Sequence, residues 1–233
     1  MSEKMRSTKK QKTRGVSLIT LADKSSPISE QYRTIRTNIQ YAMVDRDLKS
    51  LVVTSSGPGE GKSTTSANLA IVFANSGKRV LLVDADMRKP TVAKTFSLDN
   101  VRGLSTFLGN RDTVLHQVIQ SAGIDNLYLM TSGPKPPNPS ELLASKRMEE
   151  LMHSLKEKYD LVIFDMPPVV AVTDAQIVAS KSDGTILVVR ENVSKRDSLL
   201  KAKSLLELVD ATILGVVYNG SKKITDQGYY YGS

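Results

Sequence analysis

The chain has 233 residues, 40% hydrophobic and 24% charged, which suits one core of the size that a single α/β domain fills. It contains no cysteine and two histidines, His116 and His153, which excludes disulfides and thiolate metal sites, makes a histidine-rich one unexpected, and fits a reducing, cytosolic setting. The net charge of +8 is uneven: Lys4, Arg6, Lys9, Lys10, Lys12 and Arg14 against Glu3 put +5 on residues 1–14 and leave +3 for the rest, so a nucleic-acid reader with cations spread over its folded body is not expected.

In chain order, residues 1–27 read as a flexible basic arm, polar and without the apolar core of a signal peptide. Such an arm is either simply solvated or docks on anionic lipid, at about 1 kcal/mol per basic residue, or on an acidic partner segment. A helix is expected from about Ser29 to Met43. A helical wheel gathers Ile28, Tyr32, Ile35, Ile39 and Ala42 on one side and Glu30, Arg33 and Arg36 on the other. Short apolar runs follow at Leu51–Val53, Val80–Val83, Leu127–Met130, Leu161–Phe164, Ile186–Val189 and Ile213–Val217, and these read as strands. Between them lie helical patterns, such as Met148, Leu151, Met152 and Leu155, with Asn138 as cap, Pro139 at the first helical position and Glu141 in the first turn. Strands alternating with helices predict a three-layer α/β fold with a mostly parallel sheet of about seven strands over residues 28–220. The longest apolar run, Leu69–Ala74, is far short of the roughly 20 residues that a spanning helix needs.

The loop after the first strand reads Ser56-Gly57-Pro58-Gly59-Glu60-Gly61-Lys62-Ser63, followed by Thr64. Between a buried strand and a helix, such a turn points backbone N–H groups inward at the positive end of the helix, and that arrangement holds a phosphate. Lys62 can reach the outer phosphates and the Ser63 hydroxyl can ligate Mg²⁺, so the segment is a Walker A loop with Ser56 where glycine is usual. Asp84 and Asp86 follow one strand and Asp165 ends another. The carboxyl ends of parallel strands share one edge, so the three carboxylates can converge on a bound Mg²⁺-nucleotide, and without a cation their desolvation costs several kcal/mol. Asn219 closes the last strand on the same edge. The guanine signature NKxD and the transporter signature SGGQ are both absent, which favours ATP.

Together with the loop, `VDADMRKP` and `VIFDMPP` make the sequence similar to the bacterial tyrosine kinases of capsule and exopolysaccharide synthesis, the CpsD/CapB type. The resemblance runs from about Ile28 to Tyr231. In that family the aspartate pair is a Walker A′ motif, here Asp84 and Asp86 with Arg88. `TSGPKPPNPSELL` also looks like the family. So does `EQYRTIRTNI`, whose Glu30, Arg33 and Arg36 match an ExxRxxR pattern tied to ring-like self-association. The resemblance implies that Asp84 takes the proton of a tyrosine while Ser63, Asp86 and Asp165 hold Mg²⁺ directly or through water. A phenol has a pKa of about 10 and needs such a base at neutral pH. Residues 221–233 read as a flexible tail, with Tyr229, Tyr230 and Tyr231 between Gly228 and Gly232. The family's C-terminal tyrosine cluster makes them the expected phosphoacceptors, with transfer between subunits. It also implies a membrane-protein activator that recruits a cytoplasmic kinase to the inner face of the cell membrane, and a protein-tyrosine phosphatase and other proteins as substrates. The rival reading is a positioning ATPase of the plasmid-partition and division-site kind, a dimerisation switch on DNA or membrane. That family carries a lysine early in its P-loop, in a KGG run, where this chain has Gly57-Pro58-Gly59. An inactive nucleotide-binding scaffold is a third reading, disfavoured because every expected phosphate and metal residue is present.

Overall fold

A computed structural model describes residues 15–44 and 47–221. The helices and strands run in the order α1 (Ile19–Ala22), α2 (Pro27–Ala42), β1 (Ser50–Ser55), α3 (Lys62–Ala74), β2 (Val80–Asp84), α4 (Val92–Thr95), α5 (Leu104–Gly109), β3 (Ile119–Ser121), β4 (Leu127–Met130), α6 (Pro139–Ala144), α7 (Lys146–Lys158), β5 (Leu161–Asp165), α8 (Asp174–Ala179), β6 (Gly184–Arg190), α9 (Arg196–Glu207) and β7 (Ile213–Asn219). One sheet takes the order β3-β4-β2-β5-β1-β6-β7. Every neighbouring pair is parallel except β3 with β4.

The apolar strands are uniformly buried because helices cover both faces of the sheet. Side chains alternate along each strand. Val52, Leu81, Val162 and Phe164 therefore enter one core with Leu151 and Leu155 of α7 and Leu206 of α9, while Leu51, Leu82 and Ile163 enter the other with Leu69 and Phe73 of α3 and Tyr32 and Ile39 of α2. Helix α3 is buried around nearly its whole circumference, since the sheet lies on one side of it and α1 and α2 on the other. Among the described residues no helix is long and apolar enough to cross a membrane.

The structure redraws five expectations. The helix expected from about Ser29 is α2 and starts at Pro27, directly after its cap Ser26, whose hydroxyl accepts the Ser29 N–H at 3.2 Å. Ile28 and Ala42, placed on its apolar face, are exposed, because they lie at its two ends, beyond the stretch of α3 that buries Tyr32 and Ile39. Residues 15–26, assigned to the arm, belong to the folded body: α1 packs on α3, and Thr20 is buried. The helix introduced at Asn138 is two helices. Ser145 leaves helical geometry at φ −70°, ψ 152° and its hydroxyl caps α7 by accepting the Met148 N–H. The strand β3 was not expected. With three half-buried or exposed residues, Ile-Gln-Ser, it is too short and too polar for periodicity to reveal.

Candidate active site

The site begins where β1 ends. Gly59 and Gly61 have φ of 76° and 97°, a region open to glycine at little cost. At Gly61 the need is also spatial, because a Cβ there would lie 1.9 Å from Asn219 Nδ2. Asn219 sits that close because its amide donates to the Glu60 carbonyl at 3.1 Å, and Arg190 Nη1 donates to the Gly59 carbonyl at 2.9 Å. The ends of β6 and β7 thus brace the loop from outside. The Glu60 side chain braces it from within. Its carboxylate accepts from Ser56 Oγ at 2.8 Å, from the Gly57 N–H at 2.9 Å and from Ser194 Oγ, and the residue is 3% exposed. Of the expected nucleotide contacts, Glu60 therefore offers its backbone and not its side chain. Ser56, the departure from the usual glycine, gains a partner that glycine could not provide.

Asp84 and Asp165 are register neighbours at the ends of β2 and β5, and both are fully buried. Asp84 Oδ2 accepts the N–H groups of Thr91 and Val92, each at 2.9 Å, and Asp165 Oδ1 accepts Ser66 Oγ at 3.1 Å. The other oxygen of each, Asp84 Oδ1 and Asp165 Oδ2, has no partner. Burial first, then the neighbouring Asp165 charge, pushes the Asp84 carboxyl up to about 8. Burial also raises Asp165, against the pull of the Lys62 ammonium. Burial opposes the charge of Lys62, yet Asp165, Asp86 and Asp84 together hold its pKa above the usual lysine value. The ammonium donates to Asp86 Oδ2 at 2.9 Å and to Ser63 Oγ at 3.3 Å, while Asp86 Oδ1 accepts the Lys89 N–H at 2.9 Å. Both oxygens of Asp86 are thus engaged, whereas Asp84 and Asp165 each keep one free.

Two buried carboxylates with an unsatisfied oxygen apiece are costly unless a cation faces them, so the residues fit a nucleotide-borne Mg²⁺. Among the described residues no three acidic or imidazole side chains form a cation cage. That agrees with the usual habit of Mg²⁺, which takes one or two protein ligands beside phosphate oxygens and water. A cleft of about 330 Å³ opens here, with Gly59, Lys62, Ser63, Thr64 and Asp86 in its wall.

Other expected residues fall elsewhere. Arg88 turns away from the cleft and pairs with the buried Asp174 through Nε and Nη2 at 2.9 and 3.0 Å, with Ser140 hydrogen-bonded to both. It locks the Walker A′ loop to α6 and α8. Asp174 carried no signal in the sequence beyond that of an acid in a helix's first turn. Glu30 and Arg33 pair with each other, and Arg33 also donates to the Lys24 carbonyl at 2.8 Å. Arg36 points inward instead, donating to the Val72 carbonyl at the end of α3 at 3.2 Å, so the three do not form one outward charged face. Tyr229, Tyr230 and Tyr231 lie outside the described residues, as does the basic segment 1–14. Arg190 and Ser194, which reach the loop, and Val16 and Thr91, which line the cleft, were missed because only folding brings them there.

Comparison with known proteins agrees with this geometry. The AAA domain family matches residues 48–210. Tyrosine-protein kinase YwqD of Bacillus subtilis is 49% identical over 215 residues, covering 91% of this chain and 90% of that one. The solved structure of the kinase domain of Escherichia coli tyrosine kinase ETK superposes with a TM-score of 0.86 at 33% identity, covering 98% of this chain and 89% of that one. A septum site-determining protein MinD from Pyrococcus horikoshii, complexed with Mg-ADP, reaches a TM-score of 0.63 at 25% identity over 73% of this chain and 70% of that one, so the positioning ATPases are a more distant likeness. With a nucleotide-binding fold and relatives of this closeness, the chain belongs to the AAA-domain P-loop proteins and, within them, to the bacterial protein-tyrosine kinases.

Proposed function

We propose that the chain binds Mg²⁺-ATP on the Ser56–Thr64 loop and passes the outermost phosphoryl group to Tyr229, Tyr230 and Tyr231 of a neighbouring copy. The observation that carries this reading is the pair of unsatisfied oxygens, Asp84 Oδ1 and Asp165 Oδ2, beside the Lys62 ammonium in the cleft wall. In the transfer, the bond between phosphorus and the β–γ bridging oxygen of ATP breaks and one to the phenolic oxygen forms. ADP leaves with the bridging oxygen, and the phenol's proton must go to a base. Asp84 is the better candidate than Asp86, since Oδ1 is unengaged and a raised carboxyl lies nearer to the phenol's pKa of about 10. Mg²⁺ would neutralise charge on the transferring group. Ser63 and Asp165 would hold it, with Asp86 joining once phosphates replace it as the partner of Lys62. Asn219, at the loop's outer side, would border the nucleotide.

The described chain runs to Ser221, two residues after Asn219. Tyr229 is then eight residues away, roughly 27 Å at full extension, within reach of this site or a neighbour's. A homo-oligomer, in ring form, built in part on Glu30 and Arg33, would present one tail to the next cleft. A membrane-protein activator would recruit the kinase to the inner face of the cell membrane, with regulation of capsular or exopolysaccharide synthesis as the output. A tyrosine phosphatase and other proteins are expected further substrates. The test is to incubate the protein with Mg²⁺-ATP, digest it, and locate phosphate by mass spectrometry. Label on the C-terminal peptide, lost on replacing the three tyrosines by Phe, is expected. Phosphate release without any labelled peptide would favour the positioning-ATPase reading.

A further inference from the structure

The N-terminal segment ahead of α2 has no part in the reaction described so far, yet it reaches the cleft. Val16 lines the same 330 Å³ cleft as Lys62, Asp86, Lys89 and Thr91. Two anchors hold it there. The Val16 N–H donates to Thr95 Oγ1 of α4 at 3.0 Å, and Gly15 lies so near the α4 backbone that a Cβ on it would stand 3.1 Å from the Lys94 carbonyl. On the other side the buried Asn68 of α3 donates from Nδ2 to the Ser17 carbonyl at 2.9 Å, and its Oδ1 accepts the Thr20 N–H and hydroxyl at 3.0 and 2.8 Å. The segment thus ties together the helix that starts with Lys62 and the short helix whose first N–H groups hold Asp84.

Its position in the cleft is one-sided. Asn219 braces the loop at Glu60 and Gly61, whereas Val16 is hydrogen-bonded to α4, the helix that follows the Walker A′ residues Asp86 and Lys89 in the chain. The Walker A′ side is where the phosphoryl acceptor must enter if Asp84 is to take its proton. Most groups that could face an entering phenol on that side are polar or charged. Six ring carbons need an apolar surface, and the half-buried isopropyl group of Val16 supplies one.

The geometry points to Val16 as an acceptor-positioning residue: we infer that its side chain forms the apolar wall of the tyrosine subsite, and that Asn68 and Thr95 act through it by fixing the segment. This rests on the kinase reading above and names the substrate contact within it.

The experiment uses the full chain with Tyr229, Tyr230 and Tyr231 replaced by Phe, with and without Val16→Ala, phosphorylating a synthetic peptide of residues 221–233. Removing two methyl groups from an apolar contact should raise the peptide KM about three- to tenfold with the ATP KM unchanged; because Val16 also packs against the core beneath it, a small fall in melting temperature is expected as well, and Val16→Ile should restore the peptide KM. Asn68→Ala, which frees the segment without touching its apolar side chain, should produce the same split between the two KM values. An unchanged peptide KM in Val16→Ala, or a rise in the ATP KM alone, would overturn the inference while leaving the kinase reading intact. Absence of label on the peptide with Val16 in place, and on the tail of the natural chain, would overturn both.

Discussion

The two edges of the sheet handle their carboxylates in opposite ways, one half-buried and the other fully buried. At the amino edge Asp183, just ahead of β6, accepts the N–H groups of Lys49 and Ser50 at 3.0 and 2.8 Å, the Ser50 hydroxyl at 2.9 Å and the Lys156 ammonium at 2.8 Å. Burial alone would raise this carboxyl, but those partners hold it below the usual aspartate value. At the carboxyl edge Asp84 and Asp165 lie side by side, each with an oxygen left over and each with a raised pKa. A carboxylate satisfied from within stabilises the fold. One left partly unsatisfied between strand ends costs stability until a ligand arrives, which is how a binding edge differs from a structural edge built from the same residue type.

The comparison can be broken most forcefully at Lys62. Lys62→Met should lower phosphotyrosine formation on the order of 10²–10³-fold, the usual cost of removing a preorganised charge facing a transition state, and a timed anti-phosphotyrosine assay reads it. A residual rate near that of the natural chain would mean that the carboxyl edge is not the catalytic one. Next comes Asp183→Ala at the structural edge, which strands two N–H groups and an ammonium. A loss of about 2–3 kcal/mol in urea unfolding is expected, with the kinase rate unchanged. The Asp183 contribution is also pH-dependent. Because its folded pKa is depressed, the stabilisation is complete above the unfolded value near about 3.9 and disappears as pH falls through the folded value, so the acid limb of a stability–pH curve should flatten in Asp183→Asn.

Asp84 should behave in the reverse sense. Its carboxyl titrates at about 8 in the fold, so between about pH 4 and 8 the folded chain binds more protons than the unfolded one, and stability falls as pH rises through that window. Asp84→Asn should remove the slope and make the nucleotide-free protein more stable at pH 8, by about 1–2 kcal/mol after allowance for relaxation, while phosphoryl transfer is lost. Thermal melts at several pH values would show it, and equal slopes in both proteins would contradict the assignment. The smallest effect is expected at Ser56→Gly, which restores the common loop residue but gives up the hydrogen bond to Glu60. It should cost about 1 kcal/mol and leave ATP affinity nearly unchanged.

Much of this protein is legible in its order of residues. Runs such as Leu161–Phe164 read as strands covered on both faces, and the spacing of Gly57, Gly59, Gly61 and Lys62 reads as a phosphate loop, because backbone geometry and side-chain period act within a few residues of the chain. Asp84, Asp86 and Asp165 were also readable as a group, since parallel strands place their carboxyl ends together. The pairing of Asp84 with Asp165 in one register, the inward turn of Arg36, the lock between Arg88 and Asp174, the brace of Asn219 against Gly61 and the arrival of Val16 at the cleft were decided by tertiary structure alone. Each joins residues far apart in sequence, and whether such a pair meets depends on how layers stack and which hydrogen-bonding groups remain to be satisfied once they have, which no local pattern encodes.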